Sequence, residues 1–294
     1  VGAGGPQINI TNNRIDGAAD EGIWLADLSN ELDSASLDIS GNNILATDAS
    51  GSGSAEIKIT SAPDAMASTG EDPNGAPDLS QIAQDVLAAN PDATTVELWD
   101  SLTYNDQGQI LVADGESIQN AIDNAQAGDT VLVRPGNYTE NIEINKDVSL
   151  LSTEGRDSTT IQGNEANGGL GTIQITSNTS AVQIGDTGQG FKIVGFDSSN
   201  PGLEKAGIYF QGDHSGAVVR GNEIEADGDV GLLTEYSADV NNVVIEGNVF
   251  SGKTFVGDNP AGEGFGNQFT LDNVPRQLVV LHPGGSNNTF RDNE

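Results

Sequence analysis

Cysteine is absent from this chain of 294 residues, so no disulfide staples it and its redox compartment cannot be read from thiols. Aromatic residues are scarce at 5%, which leaves few of the stacking platforms that line sugar-binding grooves. Trp24 and Trp99 both precede the main run of repeats and are expected to pack there. Basic residues are fewer still: 11 Lys and Arg stand against 44 Asp and Glu, a formal charge of −33. That imbalance excludes nucleic acid and anionic membrane as partners, and would admit a polyanionic sugar only through bridging Ca²⁺. It suits salt-rich surroundings, where screening shortens the reach of self-repulsion. No long hydrophobic run crosses a membrane and no signal peptide is present, although a mature secreted chain would have lost one.

What is abundant is Gly, Asn, Asp and Thr, a composition that points outside the cell. One phrase recurs: apolar residues, Gly-Asn, then another apolar residue. Val218-Val-Arg-Gly-Asn222-Glu-Ile224 returns as Val244-Ile-Glu-Gly-Asn248-Val-Phe250, with the asparagines 26 residues apart. Gly and Asn tolerate the left-handed backbone that tight corners demand, and stacked Asn side chains can bond one another. These asparagines are therefore expected as corner posts. The phrase also occurs early, in Ile8-Asn-Ile-Thr-Asn-Asn-Arg-Ile15 and Leu37-Asp-Ile-Ser-Gly-Asn-Asn-Ile44. Between these copies, from about Ser61, lies a proline-rich connector with an expected helix over Leu79 to Ala89 and a strand at Thr95 to Leu98.

The most informative stretch is Asp114 to Gly163. Ser117, Ile118, Ala121, Ile122 and Ala125 form an apolar stripe at helical spacing, with Asp114 or Ser117 as N-cap and Gly128 as the stop. Thr130-Val-Leu-Val133 has the β-branched, apolar character of a buried strand, and Pro135-Gly136 turns the chain. One βα unit of an ordinary α/β domain is the alternative, but no second helix of that kind follows. The run Ser117-Ile-Gln-Asn-Ala-Ile122, then Gly128-Asp-Thr-Val-Leu-Val-Arg-Pro-Gly-Asn-Tyr-Thr-Glu140, resembles the opening of the pectin-lyase-like superfamily. The resemblance covers about fifty residues and is specific for fold. It implies an all-β right-handed parallel β-helix with a capping helix, preceded by a mixed connector. The expected organisation is 1–60 solenoid-like coils, 61–113 connector and 114–294 capped β-helix.

Chemistry is harder to find. Lyases of that superfamily need a base and a group that neutralises a uronate, and Lys205, His214 and Arg220 lie within sixteen residues of one another. Arg220 precedes a Gly-Asn corner and His214 sits in a turn-like Gly-Asp-His-Ser-Gly. The sequence motifs of polygalacturonases, pectin methylesterases and pectate lyases are all missing, as are nucleophile-elbow, phosphate-loop and zinc patterns. Asp197, Asp227, Asp229 and Asp258 are candidate Ca²⁺ oxygens in Gly-rich turns, though solvated acidic turns are the plainer reading.

Two classes of function follow. The first is an extracellular structural module assembling head to tail with copies of itself, its contacts near Val1, Ile8, Ile10, Ile15, Leu278, Val280 and Phe290. The second is a carbohydrate-active enzyme, a polysaccharide lyase using Lys205, His214 and Arg220, with a non-catalytic sugar-binding adhesin as a third reading. The final phrase, Asn288-Thr-Phe-Arg-Asp-Asn-Glu294, lacks its closing apolar residue. Solenoids whose ends carry no cap expose core and unpaired backbone groups, so two explanations fit: the chain is a piece of a longer protein, or its ends are completed by neighbouring copies.

Overall fold

A computed structural model describes residues 7–16, 23–25, 36–45, 57–59, 79–91, 93–98, 102–176, 179–196, 205–226, 230–235, 239–252, 279–280 and 287–294. It is built mainly of short strands, most of them in parallel sheets, and divides into two compact units, Val1–Ala113 and Asp114–Glu294.

In the first unit, β1 (Gln7–Thr11), β2 (Arg14–Asp16) and β3 (Ile23–Leu25) are followed by β4 (Ser36–Ser40), β5 (Asn43–Leu45) and β6 (Ile57–Ile59). They pair in parallel, β1 with β4, β2 with β5 and β3 with β6. Helix α1 (Leu79–Ala88) buries Ile82, Ala83, Val86 and Leu87, one stripe of its surface. β7 (Thr95–Glu97) then joins β6 in parallel, and β8 (Thr103–Asn105) and β9 (Ile110–Val112) continue antiparallel.

The second unit opens with α2 (Ile118–Asn124), which buries Ile118, Ala121 and Ile122. Ser117 is its N-cap, its Oγ accepting from the Asn120 N–H at 3.1 Å. Glu140 meets the same helix start, accepting from the Ile118 and Gln119 N–H groups at 2.8 and 3.2 Å. Three of the free N–H groups of the first turn are thereby satisfied. At the other end Lys146 Nζ donates to the Asp123 and Ala125 carbonyls, both at 2.9 Å. The helix stops at the Ala125 C-cap, three residues before Gly128, because Ala125 already leaves helical backbone and Lys146 takes the last carbonyls.

Strands then come in sets of three. The first set is β10 (Thr130–Val133), β11 (Gly136–Thr139) and β12 (Ile142–Ile144). The second is β13 (Ser149–Ser152), β14 (Thr159–Gln162) and β15 (Gly171–Ile175). The third is β16 (Gln183–Ile184), β17 (Lys192–Val194) and β18 (Ala206–Phe210), with β19 (His214–Ser215) in the turn after it. The fourth is β20 (Val218–Arg220), β21 (Glu223–Ala226) and β22 (Val230–Thr234), followed by β23 (Val240–Asn241), which pairs with β19. β24 (Val244–Glu246), β25 (Val249–Gly252) and β26 (Val279–Val280) are the fifth set, and β27 (Thr289–Arg291) comes last.

Each strand pairs in parallel with its counterpart one set later, so three parallel sheets run through the unit. Alternate residues face inward and stack into columns. Val131, Leu150, Ile184, Val219, Ile245 and Phe290 follow one another in register along the first sheet. Tyr138, Ile161, Ile193, Ile224 and Phe250 do so along the second. Ile142, Ile173, Ile208 and Leu232 form the third. Nearly all of these are at most 3% exposed, Phe250 at 6% being the exception, while Phe290 is only partly buried. Each such aliphatic side chain contributes roughly 1.5–3 kcal/mol when fully buried.

Candidate functional site

The corners between the first and second sheets carry a polar feature that repeats from set to set. Gly221, Gly247 and Asp292 hold left-handed backbone there, with φ of 70°, 63° and 54°. Each is followed by an asparagine. Asn222 donates through its N–H and Nδ2 to Asn248 Oδ1, at 3.0 and 3.2 Å. Asn248 repeats the same pair of bonds to Asn293 Oδ1, at 2.9 and 3.0 Å. The amides also donate to carbonyls of the preceding set, Asn222 to Ile184 and Asn248 to Val219, each at 2.9 Å. Asn222 and Asn248 are fully buried and fully bonded, as buried amides must be.

The first unit contains a second ladder of the same kind. Asn13 donates through N–H and Nδ2 to Asn42 Oδ1 at 3.1 and 3.0 Å, and Asn42 donates in the same way to Asn90 Oδ1 at 3.3 and 3.0 Å. The residues before Asn13 and Asn42 are left-handed too, Asn12 at φ 58° and Gly41 at 67°. Asn90, just past the end of α1, stands in for a corner, and Ala89 O accepts from the Gly41 N–H at 2.7 Å.

Beside the ladder of the second unit, residues two positions before the asparagines form a charged row. Arg220, Glu246 and Arg291 are in register on β20, β24 and β27. Arg220 bonds Asp186 and Glu246, both at 3.1 Å, and Arg291 bonds Glu246 at 2.8 Å. Arg291, then Arg220, hold the Glu246 carboxyl below the usual glutamate range. The Thr187 N–H and Arg220 lower that of Asp186. The row borders an open cleft of about 700 Å³ that is also lined by Arg156, Asp157 and Thr187. Arg156 reaches across to the Asn222 carbonyl at 3.3 Å.

Of the three residues considered for a lyase, Arg220 lines this cleft, and Lys205 and His214 are not among its lining residues. Lys205 is 7% exposed; its ammonium donates to the Gly169 carbonyl and lies 5.5 Å from the centre of the Phe196 ring. His214 is 3% exposed, with Nδ1 2.9 Å from Thr179 Oγ1 and Nε2 2.8 Å from the Gln211 carbonyl. The carbonyl can only accept, so Nε2 carries the proton and Nδ1 accepts from the threonine. Phe210 meets the imidazole edge-on at 5.5 Å.

Burial pushes the His214 pKa below its ordinary 6.5. A histidine held neutral in the fold stabilises it fully above the unfolded value, and that contribution drains away as pH falls below about 6.5. Thermal unfolding followed over this range should therefore show an acid-side loss of stability that His214→Gln reduces.

The expected assembly residues divide. Val1 and Leu278 lie outside the described residues, as does His282, and for Ile8, Ile15 and Val280 only the backbone is described. Ile10 and Phe290 are partly buried, and Phe290 stacks on Phe250 with ring centres 6.1 Å apart. The four calcium candidates, Asp197, Asp227, Asp229 and Asp258, also lie outside the described residues. Among the described residues no group of three or more His, Cys, Asp or Glu is placed to hold a metal, and no helix is long and apolar enough to cross a membrane. The partners Asp186, Glu246 and Arg156 were not anticipated. Glu246 was nonetheless signalled, since it occupies the same place in the repeated phrase as Arg220. No protein-family model and no curated protein matches this chain.

Proposed function

We propose that Asp114–Glu294 is a capped parallel β-helix and that the chain is a structural module, working outside the cell, that stacks head to tail with copies of itself. The observation that carries this reading is the contrast between the two ends of the second unit. Helix α2 covers the first set of strands with buried Ile118, Ala121 and Ile122. At the opposite end β25, β26 and β27 are the outermost strands of their sheets among the described residues, and Phe290 is only partly buried. A void of about 10 Å³ is lined by Phe290 together with Phe210, Val243 and Ile245. An edge that no described residue covers, with an apolar side chain beside it, is a surface that favours a further strand. The same surface on every copy gives a heterologous contact, which propagates unless its rotation closes.

Sedimentation velocity and negative-stain electron microscopy, with and without millimolar Ca²⁺, test the reading. Rods many units long are expected from the wild type. Added salt should favour them by screening the −33 charge. Phe290→Asp should raise the concentration needed for assembly by about tenfold or more, since it loses apolar contact and sets a carboxylate at the contact. Wild-type monomers under every condition would overturn the proposal.

A further inference from the structure

The two asparagine ladders have the same polarity. In each, the rung nearer the N-terminus donates its N–H and Nδ2 to the Oδ1 of the next rung. They therefore end in complementary ways. Asn293, the last rung of the second unit, accepts from Asn248, and its own N–H meets no acceptor among the described residues. Asn13, the first rung of the first unit, donates to Asn42, and its Oδ1 receives no donor among them. One end offers the donor that the other end lacks.

The surroundings match as well. Asp292 and Asn12, the residues before these asparagines, hold the same left-handed conformation, φ 54° and 58°. Each follows a strand, β27 and β1, that pairs in parallel with its neighbour on the covered side. The residues just after the asparagines carry opposite charges, Glu294 and Arg14, both exposed.

Resting on the head-to-tail reading above, we infer that a second copy of this chain continues the ladder, its Asn13 Oδ1 accepting from the Asn293 N–H. β1 of that copy then lies beside β27 as the next parallel strand. In that register Thr11 faces Arg291, since each precedes its ladder asparagine by two residues.

The absence of cysteine makes this register directly testable. Facing residues of adjacent parallel strands have Cα atoms about 4.8 Å apart, within the range of about 4.4–6.8 Å that a disulfide spans. Thr11→Cys and Arg291→Cys variants, mixed in equal amounts under assembling conditions and oxidised, should give a disulfide-linked dimer that neither variant gives alone. Asn9→Cys mixed with Arg291→Cys is the out-of-register control, its Cα atoms about 8 Å apart and beyond bridging distance. Cross-linking no better than this control, while the wild type still forms rods, would overturn the ladder contact and leave head-to-tail stacking standing. A wild type that stays monomeric would sink both.

Discussion

Replacing Asn248 by alanine is expected to cost about 3 kcal/mol of folding stability or more, read as a lower urea midpoint at unchanged slope. The side chain sits at 0% exposure and ties its own corner to those of Asn222 and Asn293. Its Oδ1 is the acceptor for the Asn222 N–H, and its Nδ2 supplies a hydrogen bond to the Val219 carbonyl. Alanine orphans both, inside a corner that water cannot enter without opening the stack. Each buried polar group left unsatisfied costs about 1–3 kcal/mol, and the lost Nδ2 bond to Asn293 Oδ1 adds to that. Aspartate should not rescue the site, since it restores the acceptor but not the donor and places a charge in a buried corner. Asn293→Ala, at the last described rung, where the side chain is only partly buried, should cost distinctly less. Equal losses at Asn248 and Asn293 would mean that the ladder is not a cumulative structure.

How much of this was legible in the sequence depended on whether a local pattern stood alone. Helix α2 has its apolar residues at helical spacing and a serine cap, and nothing in the tertiary structure opposes either. The Gly-Asn phrase marked Asn222 and Asn248 as corner posts for a similar reason: the backbone angle and the side-chain bonding demand the same residue pair. Asn293 was harder to align, because 45 residues separate it from Asn248 where 26 separate Asn248 from Asn222. That unequal spacing also hid Arg291 as the third member of the row with Arg220 and Glu246, which the register brings together. Asn90 was invisible as a ladder member, since the helical pattern before it says nothing about its meeting Asn42. His214 lies among glycines and an aspartate, a turn composition that gives no sign of burial. Thr179, 35 residues earlier, and the Gln211 carbonyl take its two ring nitrogens, and neither partner announces itself in the sequence.

Equivalent corner glycines should respond to the same substitution with losses of very different size. Gly221 and Gly247 occupy the same place in successive sets, with φ of 70° and 63°. Asparagine tolerates that backbone conformation, and Asp292 already adopts it one set later. Backbone strain alone therefore makes Gly247→Asn a change of about 1 kcal/mol or less. A Cβ on Gly247 meets nothing within 4 Å, whereas one on Gly221 comes 2.4 Å from the Asp186 carbonyl oxygen and 3.0 Å from its carbon. Those are main-chain atoms of the segment that follows β16, and they cannot swing aside as a side chain can. The same segment is held from the other direction, because Gly190 also lies against Gly221 and Asn222, where a Cβ would come 2.1 Å from the Gly221 oxygen. Gly221→Asn must push this segment outward and pull Arg220 from Asp186, at a cost of roughly 3 kcal/mol or more. Thermal unfolding of the two variants side by side decides the matter. A small shift at Gly247 with a large one at Gly221 is the expected result, and similar shifts at both would mean that the Asp186–Gly190 segment does not press on the corner.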